Sequence, residues 1–467
     1  EPEGSMLVED PRIKAILLTG ASATAKKLMK LQHGFELAAE TGGKNAMYVS
    51  NLSDRDLAIK DILSSAFNHA GQKCSALSNL ILHEELYHDP HFKEQLKDAA
   101  ESLKVGSSLE GDTKVPPLIT PPSPHLFKAL TTLEEGESWL VKPKKDPNNP
   151  QLYSPGIKWG VRPGSFTHMT EFFGPVLGVM PAKDVQEAIE IANRVPYGLT
   201  SGIHSLDERE IKVWEKGIQA GNLYVNRTTT GAIVGRQPFG GTKESQFGRG
   251  HKAGGPNYIL QFMNIKEKTL PKEKANYPHS LGSFHPRDPE RFHAALDSYA
   301  FFWMHYFSKR FDTNKLVGQD NYFYYKPRDL VHLRVQPKDS IDDVMKIYFA
   351  CRLTRTPLEI SADTPLDKGW IQESEEEFIQ RIKAGRRPRV RLLKKPSKEL
   401  EKSLKEMAAN VHLGHVSQNG RIELLNYLKE VSFSHDYHRY GNLGDREHEE
   451  RALLPASSNS CCLGGCG

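Results

Sequence analysis

The chain contains 467 residues, and its 62 basic and 58 acidic side chains give a net charge of +4, which argues against a protein built mainly to bind polyanions. Its length predicts roughly two to four domains, and no apolar run is long enough to predict a membrane-spanning helix. The five cysteines form no disulfide framework, since Cys74 and Cys351 stand alone and Cys461, Cys462 and Cys466 crowd the C-terminal end. Because the start does not resemble a signal peptide either, we expect a cytoplasmic protein.

The first predicted element is an apolar strand from Ala15 to Gly20, followed by a helix that opens with small residues around Ser22. A strand, a glycine turn and a helix start can present free backbone N–H groups to an anion. Many α/β turns of this kind bind nothing, and for this segment alone a purely structural turn is the more frequent outcome.

The following segments alternate between helix and strand. A helix opens at Ser53, with Asp56 as its capping-box partner, and a strand follows at 79–82. A helix capped by Asp184, a strand at 199–205, a helix at 207–220 and a strand at 223–225 continue the series. Residues 110–165 read as an irregular surface excursion that is rich in proline. The alternation predicts an α/β fold with a mainly parallel sheet.

A second alternating series follows a boundary near 268–287. It begins with a helix capped by Asp288 and continues with strands at 330–335, 358–361 and 390–393. Helices are predicted at 341–352, 374–384 and 397–411, with another after Arg421. This series predicts a small Rossmann-like unit. The segment after its first strand, 335–340, lacks the glycines that close approach to a phosphate requires, so the unit is expected to be structural.

Two segments contain residues that could act as a nucleophile and a base. Cys74 follows a glycine at a predicted helix end, where the neighbouring Lys73 would favour the thiolate; a buried structural cysteine is an equally good interpretation. Glu40 precedes Gly42 and Gly43, which would let backbone approach a ligand while the carboxylate acts as a general base. Taken alone, the glycine pair more often marks a simple turn.

Two further segments could bind ligands. Glu171 lies in a turn with aromatic residues, where a carboxylate can bind ribose hydroxyls or simply face solvent. The loop containing Gly231 and Ala232 could expose consecutive N–H groups to a carboxylate. Phe239 could then form the wall of an apolar slot. A glycine-rich surface loop is the more common interpretation of this segment by itself.

In this order the four segments resemble the motifs of the aldehyde dehydrogenase superfamily. The glutamate and the cysteine are separated by 34 residues, as in that family. The Glu-Thr-Gly-Gly-Lys-Asn and Gln-Lys-Cys-Ser forms, together with Thr-Gly-Ala before Phe239, are most similar to the L-glutamate γ-semialdehyde (Δ1-pyrroline-5-carboxylate) dehydrogenases. The resemblance is to the C-terminal part of bifunctional proline utilization A proteins, and it continues into the segments 419–425 and 438–444.

The resemblance implies NAD-dependent oxidation of L-glutamate γ-semialdehyde to L-glutamate in proline catabolism. Catalysis would then use Cys74 as nucleophile, with its backbone N–H at the oxyanion, and Glu40 as the base that activates water. The implied cofactor contacts are Thr19, Gly20, Ser22, Glu171 and Phe173. The implied substrate contacts are Lys73, Ser75, Gly231, Ala232 and Phe239, of which Ser75, Gly231 and Ala232 would bind the α-carboxylate.

The resemblance also implies a division of the chain. The expected parts are a remnant of an NAD-binding domain at 1–40, a catalytic domain at 41–267, a helical linker region at 268–326, and a non-binding Rossmann-like domain with a tail at 327–467. Family members carry about half of the cofactor domain upstream of such a start, so we expect a piece of a larger protein. A fused or separate proline dehydrogenase and a homo-oligomer are the expected partners.

Three alternatives compete with this hypothesis. A catalytically silent module could serve as a scaffold or dimerisation domain, because the cofactor half is incomplete. The run 381–398 carries nine basic residues and no acidic one, but it lacks interleaved aromatic residues, so a solvated face is favoured over nucleic-acid binding. The three terminal cysteines lack a fourth ligand, and no metal site is expected.

Overall fold

The computed structural model describes residues 2–31, 36–275, 284–385, 387–443 and 446. Within these residues the largest sheet has nine strands. In spatial order they are Gln319–Pro327, Leu428–Asp436, Asn222–Val225, Thr200–His204, Asn45–Val49, Leu77–His83, Val176–Ala182, Gly156–Trp159 and Ser138–Val141. The inner strands are all parallel, and the two outermost strands are antiparallel to their neighbours. The predicted α/β fold with a mainly parallel sheet is confirmed.

Helices pack on both faces of this sheet and enclose two apolar cores. The helices of this part are Arg55–Phe67, Glu84–His88, Pro90–Glu101, Pro124–Thr131, Phe166–Met169, Val185–Arg194 and Glu208–Gly217. Asp184 caps its helix as predicted, since its carboxylate accepts a hydrogen bond from the Glu187 N–H. At the helix Arg55–Phe67 the cap is Asp54 instead of the predicted Ser53, because the Asp54 side chain accepts from the Leu57 N–H.

The predicted irregular excursion at 110–165 contains more regular structure than expected. It holds the helix Pro124–Thr131 and the two strands Ser138–Val141 and Gly156–Trp159, which extend one edge of the nine-stranded sheet. Pro124 begins the helix, where proline is well tolerated, and the other prolines lie between or beside these elements, so they do not mark a purely irregular loop.

A small sheet lies at the N-terminal end of the described chain, after the helix Pro2–Glu9. The strands Ala15–Thr19 and Glu36–Glu40 are parallel, and Gln246–Phe247 pairs antiparallel with the second of them. The helix Ser22–Leu31 connects the two parallel strands. The carboxyl ends of both strands therefore meet at one edge, and Thr19 and Glu40 lie opposite each other in the register.

The C-terminal unit contains a five-stranded parallel sheet with a Rossmann-like strand order. Its strands, in spatial order, are Ile371–Gln372, Leu358–Ala362, Val331–Arg334, Arg389–Leu392 and Asn410–Leu413. Its helices are Ile341–Thr354, Glu375–Lys383 and Lys398–Glu406, preceded by Pro289–Phe302 and followed by Gly420–Glu423. The predicted helix at 397–411 is too long, because Ala408 takes a φ of 49° and Asn410 begins the fifth strand.

Two strands that the sequence did not predict connect this unit to the nine-stranded sheet. Gln319–Pro327 and Leu428–Asp436 pair with each other along their whole length. Leu428–Asp436 also pairs in parallel with Asn222–Val225. The region 327–467 therefore contributes a strand to the sheet that also carries elements of the predicted catalytic domain. In the described ranges, no helix is both long and apolar enough to cross a bilayer.

Candidate active site

A left-handed turn presents Cys74. The helix Arg55–Phe67 leads into the turn Asn68–Gly71, whose last three residues have φ angles of 58°, 54° and 67°. Such angles are unfavourable for residues other than glycine, and they persist only where the surroundings impose them. A Cβ on Gly71 would lie 2.4 Å from the carbonyl oxygen of Gly174. Close contact between these two backbones therefore brings the cysteine segment against the turn that follows Glu171.

The side chain of Asn45 fixes the backbone around the cysteine. Its Nδ2 donates to the carbonyl oxygens of Cys74 and Ala76, each at 2.8 Å. Its Oδ1 accepts from the Thr200 N–H at 3.0 Å. Because Asn45 begins a central strand of the sheet, these bonds tie the backbone of the cysteine segment to a rigid element.

The thiol of Cys74 is partly buried, and burial raises its pKa. The negative charges of Glu171 and Glu40 raise the pKa further, while the Ser75 N–H lowers it. Stabilisation of the thiolate by Lys73 was predicted, but the net shift of the Cys74 pKa is upward and burial is its largest cause. These effects together favour the neutral thiol of Cys74 over its thiolate.

Glu40 lies at the carboxyl end of its strand and is largely enclosed. Its Oε2 accepts from the Gly241 N–H at 3.1 Å, and its Oε1 accepts from Gln246 Nε2 at 3.0 Å. Burial raises the pKa of this carboxyl, against the opposing effects of the Lys252 charge and the two hydrogen bonds. A carboxyl whose pKa is raised towards neutrality can take up and release a proton efficiently, as a general base requires.

Glu171 reaches back over the glycine pair that follows Glu40. Its Oε1 accepts from the Gly43 N–H at 2.9 Å. A Cβ on Gly42 would lie 2.0 Å from its Oε2, so the carboxylate occupies space that any other residue would fill. Burial raises the pKa of Glu171, and the Gly43 N–H and the charge of Lys44 oppose the shift. The glycine pair thus creates the cradle in which the carboxylate rests.

Two neighbours complete this corner of the site. The Lys44 ammonium is buried 4.3 Å from the centre of the Phe172 ring, and burial lowers its pKa to about 7. It has no hydrogen-bond partner among the described residues. Phe173 has a φ of 54° and leaves 44% of its surface exposed, so its ring is available for contact with a ligand.

The predicted phosphate contacts divide into two groups. Thr19 and Gly20 are exposed at the sheet edge beside Glu40, and the Gly20 N–H donates to the Glu40 carbonyl oxygen at 3.2 Å. Ser22 is buried, and its Oγ donates to the Glu244 carbonyl oxygen at 3.0 Å. Only Thr19 and Gly20 are therefore exposed enough in this structure to meet a phosphate.

The predicted carboxylate loop, defined here as residues 228–237, starts next to the nucleophile. Thr229 Oγ1 donates to the carbonyl oxygen of Ser75 at 3.1 Å. Gly231 and Ala232 are exposed, and Gly231 has a φ of 81°. Beyond the loop, Phe239 exchanges two backbone hydrogen bonds with Ala253, each of 2.9 Å. One end of the loop is thus fixed directly beside Cys74.

Sequence reasoning missed several residues that shape the site. Asn45 lies within the Glu-Thr-Gly-Gly-Lys-Asn motif. Its role could not be predicted, because it depends on the carbonyl groups of Cys74 and Ala76, which only the fold brings close. Gln246 and Lys252 are more than 200 residues away from Glu40 along the chain, and no spacing or motif connects them to it. Gln246 reaches Glu40 because the two lie opposite each other in an antiparallel pair.

The basic run at 381–398 is only partly the expected solvated face, because its four lysines are exposed whereas its arginines that the structure describes are buried or partly buried. Arg391 is 1% exposed and donates to the carbonyl oxygens of Leu392, His412, Gly414 and His415. Arg387 donates to the carbonyl oxygens of Lys243 and Gln246. These arginines join chain segments, while Arg386 lies outside the described residues.

Metal ligands are not clustered in the described part of the chain. No group of three His, Cys, Asp or Glu side chains there could hold a metal ion. Cys351 is buried in the core of the C-terminal unit. The predictions about Cys461, Cys462 and Cys466 fall outside the described residues.

Comparisons with known proteins agree with this geometry. The model of the aldehyde dehydrogenase family matches residues 1–268. The 1-pyrroline-5-carboxylate dehydrogenase of Bacillus subtilis is 35% identical over 274 residues, which cover 56% of this chain and 52% of the relative. A curated relative of the same name from Oceanobacillus iheyensis is 34% identical over 275 residues, or 57% of this chain and 53% of the relative. The chain thus spans about half the length of these curated relatives.

Solved structures extend the similarity into the C-terminal unit. Proline Utilization A from Corynebacterium freiburgense matches 94% of this chain and 43% of its own, with a TM-score of 0.82 and 38% identity. A 1-pyrroline-5-carboxylate dehydrogenase from Thermus with bound NAD matches 56% of this chain and 52% of its own, with a TM-score of 0.52 and 35% identity.

Proposed function

The chain belongs to the aldehyde dehydrogenase family, and we propose that it carries the catalytic part of an NAD-dependent oxidation of L-glutamate γ-semialdehyde to L-glutamate in proline catabolism. The proposal rests on one observation. The Cys74 thiol, the carboxyl groups of Glu40 and Glu171, and the carboxylate loop all lie around the backbone segment that contains the cysteine. The names of the relatives support the choice of substrate.

The nucleophile would be Cys74. Its thiolate attacks the aldehyde carbon and forms a thiohemiacetal, whose oxyanion is held by the Cys74 backbone N–H. Because the pKa of the thiol is raised, attack requires loss of its proton to solvent or to a base. Asn45 maintains the backbone geometry during this step through its bonds on either side of Ser75.

The residues present fit a dinucleotide cofactor. Glu171 rests in a cradle that a Cβ on Gly42 would fill, and Thr19 and Gly20 are exposed at the end of a parallel strand. Glu171 would bind the nicotinamide ribose, Phe173 would pack nearby, and Thr19, Gly20 and the Ser22 helix start would lie near the pyrophosphate. When bound, NAD accepts the hydride that converts the thiohemiacetal to a thioester.

The base would be Glu40. It removes a proton from water, the resulting hydroxide adds to the thioester carbonyl, and the Cys74 thiolate leaves as the carboxylate product forms. Gly241 and Gln246 hold the carboxylate of Glu40 in place. At the other end of the substrate, Ser75, Gly231 and Ala232 would bind the α-carboxylate, with Lys73 adding positive charge and Phe239 packing on the aliphatic chain.

We further propose that the chain works with a proline dehydrogenase, as a homo-oligomer, in the cytoplasm. The similarity to bifunctional proline utilization A proteins supports the first part. A catalytically silent scaffold is the second candidate. The raised pKa of the Cys74 thiol favours that alternative.

A burst experiment separates the two candidates. The wild-type chain, Cys74→Ala and Glu40→Gln are mixed with NAD and glutamate γ-semialdehyde, and NADH is followed by fluorescence. We expect no signal from Cys74→Ala and a single burst without turnover from Glu40→Gln. Cys351→Ala, which removes the buried thiol, is the matched control and should keep the wild-type rate. A wild-type chain that neither binds NAD nor reacts at Cys74 would establish the silent scaffold.

A further inference from the structure

The strand Leu428–Asp436 presents a row of polar side chains towards the carboxylate loop. Glu430, Ser432, Ser434 and Asp436 alternate along the strand and therefore lie on one face. Ser432 Oγ donates to the Pro238 carbonyl oxygen at 2.5 Å, just beyond the loop. Because the first three of these side chains are almost fully buried, this polar face requires partners, and the segment around the loop supplies them.

Ser434 contacts both ends of the loop. Its Oγ accepts from Arg227 Nη1 at 2.6 Å and from Gln237 Nε2 at 3.2 Å. It donates to Asn321 Oδ1 at 2.9 Å, on the antiparallel partner strand. Arg227 also lies 3.5 Å from the Asp436 carboxylate. The residue before the loop and the last residue of the loop thus share one buried hydroxyl.

Gln237 connects this support to the interior of the loop. Its side chain is 2% exposed. Its Oε1 accepts from the Ile233 N–H at 2.9 Å, and its Nε2 donates to Asn321 Oδ1 at 2.5 Å as well as to Ser434. The amide therefore joins the backbone next to Ala232 to two strands of the nine-stranded sheet.

The middle of the loop, residues 231–235, has little other support among the described residues. Residues 231–235 are exposed, and the Val234 side chain is 91% exposed. Gly231 and Gly235 both have a φ of 81°. Apart from the Gln237 side chain, residues 231–235 are held by a 3.5 Å bond from Thr313 Oγ1 to the Gly235 carbonyl oxygen and by bonds from the Arg236 and Gln237 N–H groups to the Ile233 carbonyl oxygen. Without the Gln237 bonds, the backbone N–H groups of the loop would sample many orientations.

We propose that Gln237, held by Ser434 and Asn321, is a positioning residue that sets the carboxylate loop for recognition of the substrate's α-carboxylate. The role rests on the proposed function, because it assumes that this loop binds a carboxylate. In this role Gln237 does not itself contact the substrate. The two strands that carry Asn321 and Ser434 would then influence substrate recognition through Gln237.

The test measures ligand protection of Cys74, which needs no cofactor. Iodoacetamide alkylates the full chain at increasing concentrations of L-glutamate, with 4-aminobutyrate, which lacks the α-carboxylate, as the ligand control. We expect Gln237→Ala to require about tenfold more glutamate for half protection, as the loss of one or two neutral hydrogen bonds implies. The alkylation rate without ligand should stay unchanged.

A second measurement follows the loop directly. Hydrogen–deuterium exchange of a peptide covering 228–237 should be faster in Gln237→Ala and in the milder Ser434→Ala, while Ser434→Thr, which keeps the hydroxyl, should restore slow exchange. Gln219→Ala, at an exposed glutamine, is the matched control and should change neither measurement.

The outcomes separate this role from the proposed function. Protection of the wild-type chain that persists unchanged in Gln237→Ala, with unchanged exchange of the loop, refutes the positioning role alone. A wild-type chain that glutamate does not protect refutes the proposed substrate and this role together.

Discussion

The contact between Gly71 and Gly174 allows a quantitative test of the active-site backbone. In Gly71→Ala the new Cβ would lie 2.4 Å from a backbone carbonyl oxygen, about 1 Å inside ordinary contact distance. The residue has a φ of 67°, and the left-handed region costs a non-glycine residue about 1–2 kcal/mol. Forced displacement of packed backbone adds about 1–3 kcal/mol. We therefore expect a loss of about 2–5 kcal/mol in the free energy of unfolding.

Gly42→Ala is the informative comparison, because its Cβ would also meet an atom at 2.0 Å. That atom is the Oε2 at the end of the flexible Glu171 side chain, which can move. We expect a loss of stability below about 1 kcal/mol but weakened NAD binding, since the carboxylate leaves its cradle. Urea unfolding measures the first quantity and NAD titration the second. Equal urea midpoints for Gly71→Ala and the wild type would refute the argument from backbone contact.

Three further predictions concern charge and hydrogen bonding. Because burial raises the pKa of Cys74, the rate of its alkylation by iodoacetamide should increase at higher pH than the rate for a free thiol. Glu171→Gln removes a nearby negative charge and should move this pH profile to lower pH. A shift to higher pH would contradict the electrostatic account. Gln246→Leu removes a hydrogen-bond donor to the Glu40 carboxylate, which should raise the pKa of Glu40. The pH profile of p-nitrophenyl acetate hydrolysis should then move to higher pH, and turnover of the acyl-enzyme at neutral pH should slow several-fold. Arg391→Met removes hydrogen bonds to four carbonyl oxygens and leaves the buried Glu423 carboxylate without the guanidinium 3.9 Å away. Because removing one partner of a buried ion pair is strongly destabilising, it should cost about 3–5 kcal/mol in urea unfolding; a loss below about 1 kcal/mol would show that water replaces the guanidinium.

The sequence predicted those parts of the fold whose signals are local. The helix that Asp184 caps could be found because its cap and its apolar stripe lie within about three turns of chain. The strand Leu428–Asp436 was missed for the opposite reason. Its alternating polar residues are mostly buried against segments nearly 200 residues earlier. Periodicity reports which residues share a face, but it does not report what covers that face.

The candidate site shows the same limit at the level of single residues. Cys74, Glu40 and Glu171 lie in short motifs that restrict the nearby backbone through glycines, and the glycines leave a signal in the sequence. Gln246 acts on Glu40 only because an antiparallel pair places the two opposite each other. A glutamine between a serine and a phenylalanine has no feature that marks it as a partner of a base, so this contact could be found only from the structure.

The strand Leu428–Asp436 also reaches the other side of the site, so the C-terminal unit cannot be treated as an independent appendage. Glu430 accepts hydrogen bonds from the Lys252 N–H and from Asn257 Nδ2. The Lys252 ammonium in turn donates to the Gly240 carbonyl oxygen, and the N–H of the next residue, Gly241, donates to Glu40. One strand therefore supports Glu40, the proposed base, through Glu430 and the carboxylate loop through Ser434. A substitution that loosens this strand should weaken both functions together, whereas one in the loop alone should affect only substrate recognition.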